Sequence, residues 1–568
     1  MIMSRTRLYL AAKTALFLSL ATTARAGDFY TQTNLVSSVQ GLAITRDPNL
    51  VNPWGISNSA TSPYWISDQG TGVSTIYNGA GVISPLVVTV PAGGGPLSGP
   101  TGTVDNTTGG GFLVAGTSAN FIFATLSGTI AARTTGSTSV TVATVSGAVF
   151  TGLALANNGT ANYLYAANFV SGGGIQVFDS TFAPTTLAGG FVDPNLPAGY
   201  APFNIQAIGG KLYVEYAQIS APGVPNVGLG LGAVDVFDAN GNFLQRLVTG
   251  GQLDAPWGIA LAPAGFGVFG SDILIGNFGN GQINAFNPTT GSYIGTLESA
   301  PDTRLANSGL WALEFGNGSA GSRSDTLYFT AGIQNEKAGL FGAIQATPNY
   351  YFSDLAFAGG WQTTLTYINY SAATVTCTTN FFADSGLPLS IPFTQGTISS
   401  RVDVLPPGGS IHDQTTANLS ATNTEGWAQA SCTGPVQASL LYRLYQSGTA
   451  VAEASVNAET APTTEFATFA QTATGVAIGN PSTTQSASIT VKAISAAGTL
   501  LGSKVITLGP LAHSSANIGP LLGLANFTGY LELSSTSPII SLSLNFEASP
   551  VFSSLPPGDL PGSTSLVP

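Results

Sequence analysis

One short pattern recurs through the first 345 residues and limits the fold more than any other feature of the chain. It reads: a small residue or Pro, an aromatic or Thr, Gly or a small residue, then an apolar one. The copies are Pro53-Trp54-Gly55-Ile56, Pro100-Thr101-Gly102-Thr103, Phe150-Thr151-Gly152-Leu153, Pro202-Phe203-Asn204-Ile205, Pro256-Trp257-Gly258-Ile259 and Gly309-Leu310-Trp311-Ala312. They are about 50 residues apart, and a fixed period of that length signals repeated supersecondary units. An apolar strand follows each copy, as in YWISD at 64–68, YLYAANF at 163–169 and DILIGNF at 272–278. A third strand then ends in a Gly, Asn or Asp turn, as in AVDVFDANGN at 233–242. Apolar alternation bounded by such turns is the mark of antiparallel hairpins. Six such units predict a six-bladed β-propeller over residues 27–346. A parallel β-helix would need shorter and more regular repeats. The early strand at Tyr30-Thr31-Gln32-Thr33 is expected to pair with the last blade near 342–345 and close the ring.

Composition agrees with an all-β chain. Only 7% of the residues are charged, against roughly 25% in an ordinary globular protein, and 71 of the 568 are Gly. Coiled coils, helical bundles and charge-driven disorder are disfavoured, and short strands with tight turns are favoured. Residues 1–26 read as a secretory signal: Arg5 and Arg7 open it, Leu8 to Leu20 form the apolar stretch, and Ala24-Arg25-Ala26 the cleavage site. The apolar run is shorter than the ~20 residues that span a bilayer, so no membrane insertion is expected and the protein is read as exported. Its removal takes away four bases and no acid, leaving a net charge of about −16. That sign repels nucleic acid and anionic membranes.

The segments YTQTNLVSSV, RDPNLVNPWGIS, ISDQGTGVSTIYNGAG, YAANFVSGGGIQVFDSTF and GGFVDPNLPAGYAPFNIQAIGGKLYV, all within residues 28 to about 345, carry a specific resemblance. The chain resembles a family of exported bacterial propeller proteins of no assigned function, and more loosely NHL-type propellers. The resemblance implies the fold and carries no activity.

From Pro348 the first repeat stops and a second begins. FAGGWQTTLTYINYS, LPPGGSIHDQ and GWAQASCTGPVQASLLYRL are answered by FAQTATGVAIGNPS, LGPLAHSSAN and GYLELSSTSPIISLSLNFE. Two tandem immunoglobulin-like β-sandwiches are expected, at 347–458 and 459–549, resembling sandwich repeats of secreted bacterial proteins. The Pro- and Ser-rich residues 550–568 read as a disordered tail. Cys377 and Cys432 are the only cysteines. Matching the two sandwich copies makes both inward-facing, and an exported chain can keep a disulfide, so the pair is expected to be bonded.

Little in the chain points to catalysis. His412 and His513 are the only histidines; they fall in matching hairpins of the sandwiches, which favours a turn role. Inside the ring, Ser-His-Asp, Cys-His and His-zinc sites therefore have no histidine to use. Asp68, Asn168 and Asn277 recur at the end of the second strand. They could ring the channel around a ligand or Ca²⁺, although starting a turn is the plainer role. Asp179, Asp238 and Asn287 recur after the third strand, where the turn role is stronger still. The DANGN run at 238–242 lacks EF-hand spacing, and GLGLG at 228–232 lacks the strand–helix context of a dinucleotide site.

Propellers that hydrolyse lactones or phosphotriesters hold a metal with acidic and amide side chains. Here Trp54, Trp257 and Trp311 occupy blade starts instead, and Glu215 and Glu314 are isolated acids. The tryptophans either pack the axis or line a mouth that stacks on a sugar. The resulting expectation is a non-enzymatic, exported protein with no bound cofactor, recognising an extracellular glycan or protein through the ring, with the sandwiches as spacers or adhesion modules. A metal-dependent hydrolase in the channel and a purely structural surface role are the alternatives.

Overall fold

The computed structural model describes residues 29–91, 98–106, 110–300, 303–371, 374–548, 551–555 and 558–559. The signal segment 1–26 lies outside them.

Each repeat motif forms the innermost strand of a separate antiparallel sheet: Pro53–Ser57, Pro100–Asp105, Phe150–Asn157, Tyr200–Ile208, Pro256–Leu261 and Leu310–Phe315. Each inner strand packs beside the next, and the sixth returns to the first, so six sheets stand in a ring. This is a β-propeller. The third motif position explains the Gly preference. A Cβ on Gly55, Gly102, Gly152 or Gly258 would come closer than 3.0 Å to atoms of the neighbouring inner strand. Gly is required where two backbones approach this closely near the axis.

The ring is closed by the chain's own beginning. The strand Tyr30–Ser37 pairs antiparallel with Leu340–Ala346, with Tyr30 opposite Ala346 and Thr33 opposite Ala343. The expected pairing is therefore the observed one, and it completes the sixth sheet from both ends of the ring sequence.

After a two-residue connection the chain enters a sandwich. One sheet runs in the order Asn349–Phe357, Thr424–Cys432, Val375–Ala383, Ser400–Leu405; the other runs Ser410–Gln414, Trp361–Ile368, Gln437–Gln446, Thr449–Asn457. Cys377 and Cys432 lie directly opposite each other on adjacent strands and are bonded. Both are fully buried in the sandwich core. The bond thus joins neighbours within one sheet, whereas the disulfide of antibody domains spans two sheets.

The second sandwich departs from a self-contained copy. Its strand Thr528–Ala548 serves two sheets: residues up to Ile539 pair with Thr463–Gln471 and Ala487–Ser495, and residues from Ile540 on pair with Thr474–Gly479 and Val551–Leu555, with Pro538 at the changeover. Pro has no N–H to give a ladder, which suits the point where the strand changes sheets. The segment read as an unstructured tail needs correction here. Val551–Leu555 pairs with the long strand, and Gly558–Asp559 pairs with Thr463–Gln471. Phe552 explains the order: it is 5% exposed and packs against Trp361 and Phe546. Residues 560–568 lie outside the described residues.

The two sandwiches also share a core. Leu542, Leu544 and Phe552 belong to the apolar cluster built around Cys377, Tyr367 and Tyr442 of the first sandwich. Trp427 turns the other way, packing with Tyr351 and Ile540 and donating its indole N–H to the Leu511 carbonyl at 2.7 Å. This explains why every residue of Asn349–Phe357 is buried: one face meets its own sandwich and the other meets the neighbour.

Candidate binding face of the ring

Inner strands run from one face of the ring to the other, so the faces differ. The strand Leu340–Ala346 runs away from the face where inner strands begin, and the sandwiches continue from its end. Loops at 264–267 and Arg323 and Asp325 border a cleft against the first sandwich, on that far side. The opposite face, where inner strands start and second strands end, is left free of the sandwiches.

The axis beneath this free face is filled. Trp54 stacks on Trp311 with centroids 3.5 Å apart, Trp257 meets both edge-on, and Phe203 and Phe278 complete the cluster. Trp54, Trp257 and Trp311 are 3%, 4% and 1% exposed. The aromatic mouth weighed as a sugar platform is therefore not presented to solvent; the rings fill the axis. Two sheets carry Thr at the same motif position, and that smaller side chain leaves the space the rings occupy: the Trp257 indole reaches across to the Thr151 carbonyl at 3.1 Å. Below the plug the channel narrows to a cavity of about 10 Å³ bordered by Asn204, Gln206 and Glu314, the size of a single water.

Asp68, Asn168 and Asn277 do occupy one register position, opposite Pro53, Phe150 and Pro256. They do not converge. Asp68 accepts from the Thr75 backbone and hydroxyl. Asn168 accepts from Val149 N–H and Asn277 from Asp254 N–H, each tying its strand end to the loop that enters the same sheet. Asp179, Asp238 and Asn287 each accept backbone N–H groups two to four residues ahead, as turn residues do. Among the described residues no group of three or more His, Cys, Asp or Glu is arranged to hold a metal ion.

The two histidines are not equivalent. His412 is exposed and bonds Thr366, whereas the His513 ring is buried against Asp384 and Asp354 of the first sandwich. Glu215 is fully buried, and burial raises its pKa well above the usual carboxylate range against the opposing effect of its own backbone N–H.

Glu314 is raised by burial from 4.5 to about 7, which gives a testable consequence. The folded state holds this proton more tightly than the unfolded chain, so its stabilising effect is complete below pH 4.5 and is lost as pH rises to 7. Glu314→Gln is expected to match the wild type in urea unfolding near pH 4. It should exceed the wild type by up to about 3 kcal/mol at pH 8. A gap independent of pH would show that Glu314 ionises normally.

Three groups on the free face were not visible as a site in the sequence. The first is the segment 333–336, where Gln334, Asn335 and Glu336 all have positive φ, at 56°, 55° and 64°. Each such non-Gly residue costs roughly 1–2 kcal/mol, and such strain tends to collect at functional sites. The second is a polar chain. Asn52 donates to Glu336 at 2.9 Å and to Gln69 at 2.8 Å, while accepting from the Trp311 indole at 3.0 Å. Desolvation raises the Glu336 pKa, against the effect of the Asn52 bond. The third is the protruding loop 222–232. It is anchored to the third sheet through Gly223 N–H to Phe169 O and to the fifth through Gly228 N–H to Asp254 Oδ1. It exposes Val224, Val227 and Leu229 by 49%, 58% and 67%. Its signal was available: PGVPNVGLGLG sets apolar side chains in a Gly- and Pro-rich loop, where polar ones are the norm.

No family model matches the chain. It is 33% identical over 338 residues to the uncharacterised protein R648 of Acanthamoeba polyphaga mimivirus, covering 56% of this chain and 80% of that protein. It is 31% identical over 344 residues to protein L690 of the same virus, also uncharacterised, covering 56% and 86%. The chain belongs to the family of these two proteins. Solved structures similar to it include streptogramin B lyase, at 13% identity and a TM-score of 0.33 over 57% of this chain and 99% of that one. Another is the PQQ-bound aldose sugar dehydrogenase of Streptomyces coelicolor, at 14% and 0.35 over 56% and 98%. The relatives found are viral, where the resemblance in the sequence pointed to bacterial proteins.

Proposed function

We propose that this is an exported recognition protein without enzymatic activity, whose free ring face docks a partner protein outside the cell. The observation that carries the reading is the filled axis: three buried tryptophans above a cavity of about 10 Å³ leave a substrate no room. Enzyme pockets are usually clefts of ~300–1,000 Å³. The exposed Val224, Val227 and Leu229, on the same face as the strained segment 333–336, favour a protein over a glycan. Glycan binding would lean on exposed aromatic rings, and the axial ones are covered. The sandwiches then hold the ring away from whatever anchors the far end.

The test uses residues 27–568 with the native disulfide, spread over arrays of extracellular proteins and of glycans. Binding to a protein target that weakens at least tenfold in Val227→Asp/Leu229→Asp supports the reading. Binding confined to glycans, or turnover of lactone or phosphotriester substrates with added Ca²⁺, overturns it.

A further inference from the structure

A second cavity lies between the two sandwiches. It measures about 270 Å³, well above the ~10–15 Å³ that holds one water and just below the range of drug-sized pockets. Two acids of the first sandwich, Asp354 and Glu425, border it, together with Ser515 of the second. Val476, Leu544 and Phe546 of the second sandwich supply an apolar wall.

Asp354 reaches this position because of local strand geometry. It sits where the register between Asn349–Phe357 and Thr424–Cys432 shifts, between Phe352 and Leu355. A bulge of this kind turns a side chain out of the regular alternation, and bulges recur beside functional sites. Asp354 is 6% exposed, and its Oδ1 has no hydrogen-bond partner. The His513 ring, whose Nδ1 bonds Asp384, brings its Nε2 only to 3.8 Å from this oxygen, beyond hydrogen-bond distance. Glu425 is bonded by the Ser515 hydroxyl and by Asn423 Nδ2. Among the described residues no Lys or Arg borders the cavity. The site therefore joins a buried carboxylate with one oxygen free of hydrogen bonds, a second carboxylate and an apolar wall. A buried charge of this kind is costly until a counter-charge meets it.

We propose that the cavity between the sandwiches is a binding site for a small organic cation, an ammonium head held by Asp354 and Glu425 and an apolar body lying on Leu544 and Phe546. A metal ion is the weaker occupant, because no group of three or more His, Cys, Asp or Glu among the described residues is arranged to hold one. Burial raises Asp354 to about 7, with Glu425 and Asp384 adding to the rise and His513 opposing it. A cation in the cavity would be what keeps it ionised. The proposal is independent of the partner read for the ring face.

The experiment measures binding of benzylammonium and n-butylammonium to the full mature chain by calorimetry and thermal shift. Benzyl alcohol and n-butanol serve as neutral controls, and Ca²⁺ and Zn²⁺ as metal probes. The expected result is saturable binding of the ammonium compounds, none of the alcohols, and at least a tenfold loss in Asp354→Asn. Because that variant alters a buried group, Leu544→Trp is measured beside it: it leaves both carboxylates in place and fills the cavity, and it should abolish binding as well. Equal affinity for the alcohols, affinity unchanged in both variants, saturation by a metal instead, or no binding by any probe overturns the proposal.

Discussion

Deleting residues 29–38 is expected to unfold the ring while the sandwiches keep their own thermal transition. Tyr30, Leu35 and Val36 are 1%, 4% and 0% exposed. Burying three such side chains is worth about 6 kcal/mol in all, at ~1.5–3 kcal/mol each, which is comparable with the whole stability of many domains. Tyr30 adds a link between sheets: it packs on Phe266 and Phe269 of the fifth and donates its hydroxyl to the Phe266 carbonyl at 3.2 Å. Its loss also bares the edge of Leu340–Ala346, and an open edge invites aggregation. Calorimetry should show the ring's transition vanish, and a synthetic peptide of residues 29–47 should restore part of it. An unchanged transition would mean the ring is held shut elsewhere.

Replacing both cysteines by Ala is the second large effect, and it should fall on the other half of the molecule. The bond closes a segment with a sequence separation of 55. Chain-entropy reasoning for a loop of that length gives about 4 kcal/mol. Ala is the right substitute because both sulfurs are fully buried in an apolar cluster, where Ser would bring an unsatisfied hydroxyl. Because Leu542, Leu544 and Phe552 share that cluster, both sandwiches should melt earlier together, with the ring unaffected. A shift confined to residues 347–458 would contradict the shared core.

The ring was legible because its constraints are local and repeated. Gly55, Gly102, Gly152 and Gly258 recur where neighbouring inner strands nearly touch, and the closing strand shows the same alternation as the strands it joins. The cysteine pairing was legible from matching the two sandwich copies. What escaped depends on contacts between distant residues. The motif places Trp54, Trp257 and Trp311 at the axis, but whether they face solvent is decided by Thr at 101 and 151 across the ring. Composition made residues 550–568 look unstructured, and for residues 551–555 Phe552 overturned that by finding Trp361, nearly two hundred positions earlier. Asp354 owes its direction to a register shift that no residue pattern announces.

The common core of the sandwiches has a mechanical meaning. A string of independent modules stretches by giving way one at a time, each rupture sparing the rest. Here the final strands lie inside the core of the preceding module, and Trp427 is clasped by the following one. Tension applied between the ring and the last strand would load both modules at once. They form a single stiff arm, which gives way as a whole or not at all.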